Sequence, residues 1–151
     1  MDSKSFKIFN LEKHETKDVS DNHINGELTV IWRDWDTHEL ELPKMVYITS
    51  VEPKEKKGPH LHTERNSFFT CIQGEVTFII QDSKKIFHEI TLSETNPQLI
   101  FIPKGIPAAH INAGTVTGKI LALADISWKP DSNEMQNVKF DDYKWEKWYN
   151  S

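Results

Sequence analysis

Residues 54–65 read KEKKGPHLHTER and set two histidines, His60 and His62, two positions apart. On a strand this spacing sends both imidazoles to one face, while Leu61 points the other way. On the inner face of a small barrel both rings would enter one cavity. There they could bind a metal, or act as a general base and its neighbour. A second cluster follows at 100–112, IFIPKGIPAAHIN, and contributes His110 and Asn112. His110 reads equally well as a site residue or as a hydrogen-bonded core histidine. The lysines at 54, 56 and 57 read as a solvated loop or as the edge of an anion site.

The elements that must position these residues are strands. Segments 28–32, 45–51, 68–72, 76–80, 86–92, 99–102 and 118–126 are short and rich in β-branched and aromatic residues, and Gly, Pro, Asn and Asp bound them. Gly74-Glu75 and Gln81-Asp82-Ser83 have the composition of tight turns. Pro97, Pro103, Gly105 and Pro107 would interrupt a helix in the second half. No interval keeps a 3.6-residue apolar period over three turns, so a sandwich, jelly roll or small barrel is expected. Residues 1–27 are polar and charged, and read as an arm or as a strand exchanged with a partner. The tail, FDDYKWEKWY at 140–149, is too aromatic for disorder and is expected to pack back on the barrel as a short helix.

Composition bounds the function. A chain of 151 residues makes one domain, and a 37% hydrophobic share is enough to build a core. The single cysteine, Cys71, excludes an intrachain disulfide and a cysteine-rich zinc site, and its apolar neighbours predict a buried, inert thiol. A net charge of -5 argues against bulk binding to nucleic acid or an anionic membrane. The first residues lack the long apolar region of a signal peptide, and no stretch nears the roughly 18 apolar residues of a membrane span. A soluble cytoplasmic protein is therefore expected.

With Gly58 before the histidine pair, Gly74 after it, and the cluster Pro103-Lys-Gly105 to His110 and Asn112, the chain resembles the cupin superfamily. Its motifs read G-x5-H-x-H-x3-4-E-x6-G and G-x5-P-x-G-x2-H-x3-N. The metal-ligand glutamate of that pattern would fall at Asn66 or Ser67, and the second-motif histidine at Ala108. Glu64 comes earlier and His110 two residues later. A catalytic metal usually takes three protein ligands, so the set looks degraded.

From about Met45 to Trp148 the sequence is more narrowly similar to the metal-independent cupins of nucleotide-sugar metabolism. These are the dTDP-4-keto-6-deoxyhexose 3,5-epimerases and the dTDP-4-keto-6-deoxyglucose 3,4-ketoisomerases. Lys57-Gly-Pro-His60-Leu-His62 resembles the ketoisomerase R-G-x-H-x-H. Phe69 to Val76, Leu99 to Gly105, Lys129-Pro130 and Asp141 to Trp145 resemble the segments that follow in the family.

The resemblance implies a reaction in which a proton leaves a carbon next to a ketone and one is returned elsewhere, with no cofactor. That needs a base titrating near neutrality and a polar group at the enolate oxygen. By position, His60 would be the base, His62 a second proton carrier, and Asp142 (or Asp141) the carboxylate that orients the imidazole. Lys57, standing where the family has arginine, would meet the diphosphate with Lys54 and Lys56, as a point charge and not a fork. Arg65, His110 and Asn112 complete the expected substrate-binding set. The epimerases' acidic tyrosine would lie between Asp125 and Trp128, where there is none, so a ketoisomerase or single-centre epimerase fits best. Of Trp32, Trp35, Trp128, Trp145 and Trp148, most are expected in the core or a dimer contact, and one could stack on a nucleobase.

The expectation is thus an all-β, cupin-type jelly roll (a double-stranded β-helix) at 28–151 behind an arm at 1–27. It would work as a homodimer on a nucleotide-linked sugar. Two alternatives stand beside it: a metal-dependent cupin using His60, His62 and His110 with Glu64 as a forced fourth ligand, and a non-catalytic ligand-binding cupin.

Overall fold

The computed structural model describes residues 5–33 and 42–149; Trp35 lies outside them. Among the described residues twelve strands carry the fold. They are β1 (Lys7–Asn10), β2 (Glu12–Lys17), β3 (Ile24–Val30), β4 (Met45–Val51), β5 (Lys56–His62), β6 (Ser67–Gln73), β7 (Glu75–Gln81), β8 (Phe87–Ser93), β9 (Gln98–Ile102), β10 (Ala108–Ile111), β11 (Gly118–Ala124) and β12 (Met135–Asn137). Two five-stranded sheets result, ordered β1-β9-β6-β11-β4 and β12-β5-β10-β7-β8, with β2-β3 as a separate hairpin. Pairing is antiparallel throughout both sheets. This is the jelly-roll architecture expected from many short strands in one domain.

The sheets pack face to face over Phe69, Cys71, Phe78, Ile80, Ile100 and Ile120. Each sheet is also plated on its outside. Phe68, Leu99, Phe101 and Leu123, on the outer face of the first sheet, are covered by Phe9, Leu11, Ile31 and Trp32. Ile79, Ala109 and Ile111, on the outer face of the second, are covered by Phe140, Val138, Tyr143 and Trp145. Double plating explains why five successive residues of β6 and of β7 are buried where a half-exposed strand would alternate.

β1 and the aromatic tail thus belong to the body. β1 pairs with β9, from Lys7↔Phe101 to Asn10↔Gln98, and the boundary expected after residue 27 falls inside β3. The tail packs back as expected, with a single 3-10 turn at Trp145–Trp148. Its aromatics interlock: Phe140 stacks on Trp145 at 6.2 Å, and Phe87 meets Phe140 at 5.0 Å. The Tyr143 hydroxyl donates to Glu89 at 2.6 Å and accepts from Trp148 Nε1 at 2.8 Å. Burial and that bond to a carboxylate push the phenol above its ordinary range. Cys71 is buried and faces the carbonyls of Gln73 and Gly74, as an inert thiol should. Among the described residues no helix is long and apolar enough to cross a membrane.

Candidate active site

A cavity of about 570 Å³ opens between the sheets. That is the size of a small-molecule site. β4 alternates, so Met45, Tyr47 and Thr49 enter the cavity while Val46 and Ile48 face out. The opposite wall is β5, which supplies Lys57, His60 and His62. β10 supplies Ala108 and His110.

Lys57 and His60 are three apart and would leave a regular strand on opposite faces. A bulge corrects this. Ala108 pairs with His60 but His110 pairs with Lys57, so one residue of β10, Ala109, opposes two of β5, Gly58 and Pro59. The extra turn rests on Gly58, whose φ of +85° favours glycine; a Cβ there would lie 2.9 Å from the His60 nitrogen and 3.1 Å from the Ala108 oxygen. Lys57, His60 and His62 consequently share one wall.

Each expected residue can now be placed. His60 and His62 both line the cavity. Burial, then the neighbouring His62 and Lys57, lower the pKa of His60, so its ring is neutral and basic near pH 7. His110 is wholly buried, 4.4 Å from the Phe78 ring and 5.4 Å from that of Phe69. Burial, followed by His60, Lys57 and His62, pushes its pKa down to about 3, and its Nδ1 has no hydrogen-bond partner among the described residues. It forms a neutral part of the floor. Lys57 also lines the cavity, its Nζ donating to Thr49 Oγ1 at 2.8 Å. Arg65 is buried at the inner end.

Other expected members of the site lie elsewhere. Asn112 does not reach the cavity. Its Nδ2 donates to the carbonyls of Val51 and Val116, both at 2.8 Å, and its Oδ1 accepts from the Gly114 nitrogen at 2.9 Å, so every polar atom is spent on tying β4 to a turn. Asp142 is exposed on the tail, on the outer side of the second sheet, and Asp141 lines a separate shallow hollow there. Lys54 donates to the Ala113 carbonyl, and Lys56 sits 4.1 Å above the Trp145 ring, so neither joins Lys57.

The alternative metal set does not converge. Among the described residues the only His, Cys, Asp or Glu group that brings three donor atoms within 4.8 Å of one another is Asp18, Asp21 and His23 on the β2-β3 hairpin. His60, His62 and His110 are therefore not gathered around a common centre, and Glu64 is exposed. The donor set present does not fit a cupin metal.

Two side chains complete the site without having been expected. Glu134, buried, places Oε2 2.9 Å from His62 Nδ1 and Oε1 2.6 Å from Arg65. Tyr47 shares a hydrogen bond with Arg65, and burial raises its pKa against that cation's pull. A tyrosine thus enters from β4, where none was available between Asp125 and Trp128. Of the tryptophans, Trp128 lines the mouth, 59% exposed, with Met45 and Met135.

A jelly roll with a histidine-lined cavity between its sheets is a cupin. The profile of the FdtA family, described as WxcM-like, C-terminal, matches residues 5–145, and the chain belongs to that family. No curated protein matches the sequence significantly. Among solved structures, a dTDP sugar isomerase from Desulfovibrio desulfuricans is similar at 15% identity and a TM-score of 0.77, covering 97% of this chain and 92% of that one. A 3,4-ketoisomerase from Helicobacter canadensis is similar at 20% identity and a TM-score of 0.70, covering 91% and 92%. The 3,5-epimerase RmlC from Legionella pneumophila, solved with dTDP-4-keto-L-rhamnose, is similar at 14% identity and a TM-score of 0.72, covering 89% and 73%. At these identities the likeness is one of fold.

Proposed function

We propose that the protein is a metal-independent isomerase or epimerase of a nucleotide-linked 4-keto-6-deoxy sugar. The observation that carries the reading is the pair His60 and His62 on one cavity wall, with Lys57 beside them and Tyr47 opposite. A neutral imidazole takes the proton from the carbon next to the ketone, and the electron pair passes to the carbonyl oxygen as an enediolate. Tyr47, kept protonated by burial, can donate to that oxygen. A histidine then returns a proton to carbon. Lys57 supplies positive charge for the enediolate or the diphosphate. Trp128, with Met45 and Met135, offers an apolar shelf at the mouth for a nucleobase.

Such an enzyme would act in the cytoplasm, in the supply of sugars for surface polysaccharide. It would be a homodimer. Val46 and Ile48 leave an apolar patch exposed on β4, which is the edge strand of its sheet. Such edges and patches are normally covered. The β2-β3 hairpin, with Ile24 and Leu28 exposed, has the form of an element exchanged between subunits.

The test is incubation with dTDP-4-keto-6-deoxyglucose in D2O, followed by proton NMR. Loss of a ring proton next to the ketone, with a new keto sugar formed in EDTA, supports the reading. Tight nucleotide-sugar binding with no exchange would instead support the non-catalytic alternative. Light scattering of the eluted protein reads the dimer, which Val46→Glu with Ile48→Glu should split.

A further inference from the structure

Across β5 from the histidine cavity, Lys56, Gly58 and Pro59 form one side of a hollow of about 460 Å³, and the tail from Val138 to Glu146 forms the other. The Val138 nitrogen donates to the Pro59 carbonyl at 3.1 Å and ties the two sides together. The floor is aromatic and fixed. Phe140 is buried and stacks on Trp145, Tyr143 meets Trp145 edge-on at 4.7 Å, and the Tyr143 hydroxyl is held between Glu89 and Trp148. The rim is charged, with Lys56, Lys139, Asp141 and Glu146 all exposed around it. Among the described residues the side chains of Lys139, Asp141 and Glu146 make no hydrogen bond or ion pair, with each other or with anything else. Donors and acceptors of both signs thus surround one aromatic floor and are left free.

We propose that this hollow is a second, non-catalytic binding site, and that its ligand is a neutral pyranose. The site lies on the opposite face of β5 from His60 and His62 and does not depend on the isomerase reading.

Charge decides the ligand class. A phosphate or carboxylate drawn to Lys56 and Lys139 would also meet Asp141 and Glu146, and an ammonium group would meet the reverse, so an ion gains no net field there. A pyranose suits such a rim. Its hydroxyls donate to carboxylates and accept from ammonium groups, while one face of the ring carries C–H bonds that pack on an aromatic surface. The half-buried Trp145 supplies that surface. Lys56 Nζ lies 4.1 Å from the centre of its ring, but a cation–π contact is weak at an exposed site. A sugar can displace it and keep the ammonium as a donor at the rim. Because the floor is locked by its own ring contacts, little ordering is left for binding to oppose.

The test is saturation-transfer NMR on the full chain. The probes are methyl glucopyranoside, its galacto and manno counterparts, and maltose, with glucuronate and glucose 1-phosphate as charged comparisons. At least one neutral probe should receive saturation at the C–H protons of one ring face, and its affinity should exceed that of the charged sugars. Trp145→Ala should weaken it about tenfold or more. Since that change also loosens the tail, a second variant, Asp141→Ala with Glu146→Ala, removes two exposed, unpartnered acceptors. It should weaken binding severalfold while leaving the melting temperature in place. His60→Gln should not affect binding.

No transfer to any neutral probe at tens of millimolar overturns the proposal. So does binding that survives both hollow variants but is lost in His60→Gln, which would put the sugar in the cavity. Tighter binding of glucuronate or glucose 1-phosphate than of the neutral sugars overturns the ligand class. None of these results touches the isomerase reading, which is tested by exchange of a sugar proton.

Discussion

Gly58 and His60 approach so closely that a Cβ on residue 58 would lie 2.9 Å from the nitrogen of residue 60. The bulge that turns both Lys57 and His60 into the cavity depends on that contact. Gly58→Ala is expected to cost about 1–3 kcal/mol, from the positive φ and the collision with backbone. Gly105 has the same φ of +85° but open space around its Cβ position. Gly105→Ala should therefore cost only about 1 kcal/mol. Urea unfolding of the two variants checks the difference, and equal losses would count against the bulge.

Acid should weaken the fold through His110. Its pKa is about 3 in the folded protein against an ordinary 6.5. Above pH 6.5 neither state binds the proton. As pH falls below that value the unfolded chain takes a proton that the folded ring refuses, and stability drops by up to about 1.4 kcal/mol per pH unit until about pH 3. Between pH 6.5 and 5 the loss from this group is about 2 kcal/mol. His110→Gln removes it, so its urea midpoint should fall less over that range than that of wild type.

Asn112 separates stability from binding. Replacing it with alanine strands two carbonyls and one amide in the interior, an expected loss of about 2–3 kcal/mol. Affinity of the folded fraction for a nucleoside diphosphate should not change. A large loss of affinity, measured by calorimetry well below the melting temperature, would mean that the turn it ties shapes the cavity.

Trp128→Ala should do the reverse. The side chain is largely exposed and buries little, so the melting temperature should stay within a degree or two while nucleotide affinity falls about tenfold or more, equivalent to roughly 1.4 kcal/mol. Unchanged affinity would remove the shelf from the nucleotide's path.

Strand β4 shows why the sequence was legible in outline and not in detail. Its limits, 45–51, are those expected from residue types. Yet MVYITSV carries apolar residues on both faces, so nothing local says that Tyr47 points in and Ile48 out. That choice is made by pairing with β11 and by the cavity behind it. β5 is legible through its histidines, and the positions of both in the cavity follow from period-2 geometry plus the Gly58 bulge. β1, β2 and β12 are too short or too polar to announce themselves, since their pairing comes from partners distant in sequence. The family resemblance points to Asp142 by position along the chain, whereas burial of a carboxylate is decided by where its cation lies. Arg65 is that cation, and it draws in Glu134, a residue whose neighbours in sequence are all exposed.

His62 and its carboxylate are separated along the chain as well as joined in space. His62 and Glu134 stand 72 positions apart. His62 belongs to β5 and Glu134 to the stretch leading into β12, so the carboxylate reaches His62 and Arg65 only when β12 pairs along the β5 edge. A chain cut short between β11 and Glu134 would keep the inner core of both sheets but leave the buried Arg65 without its anion.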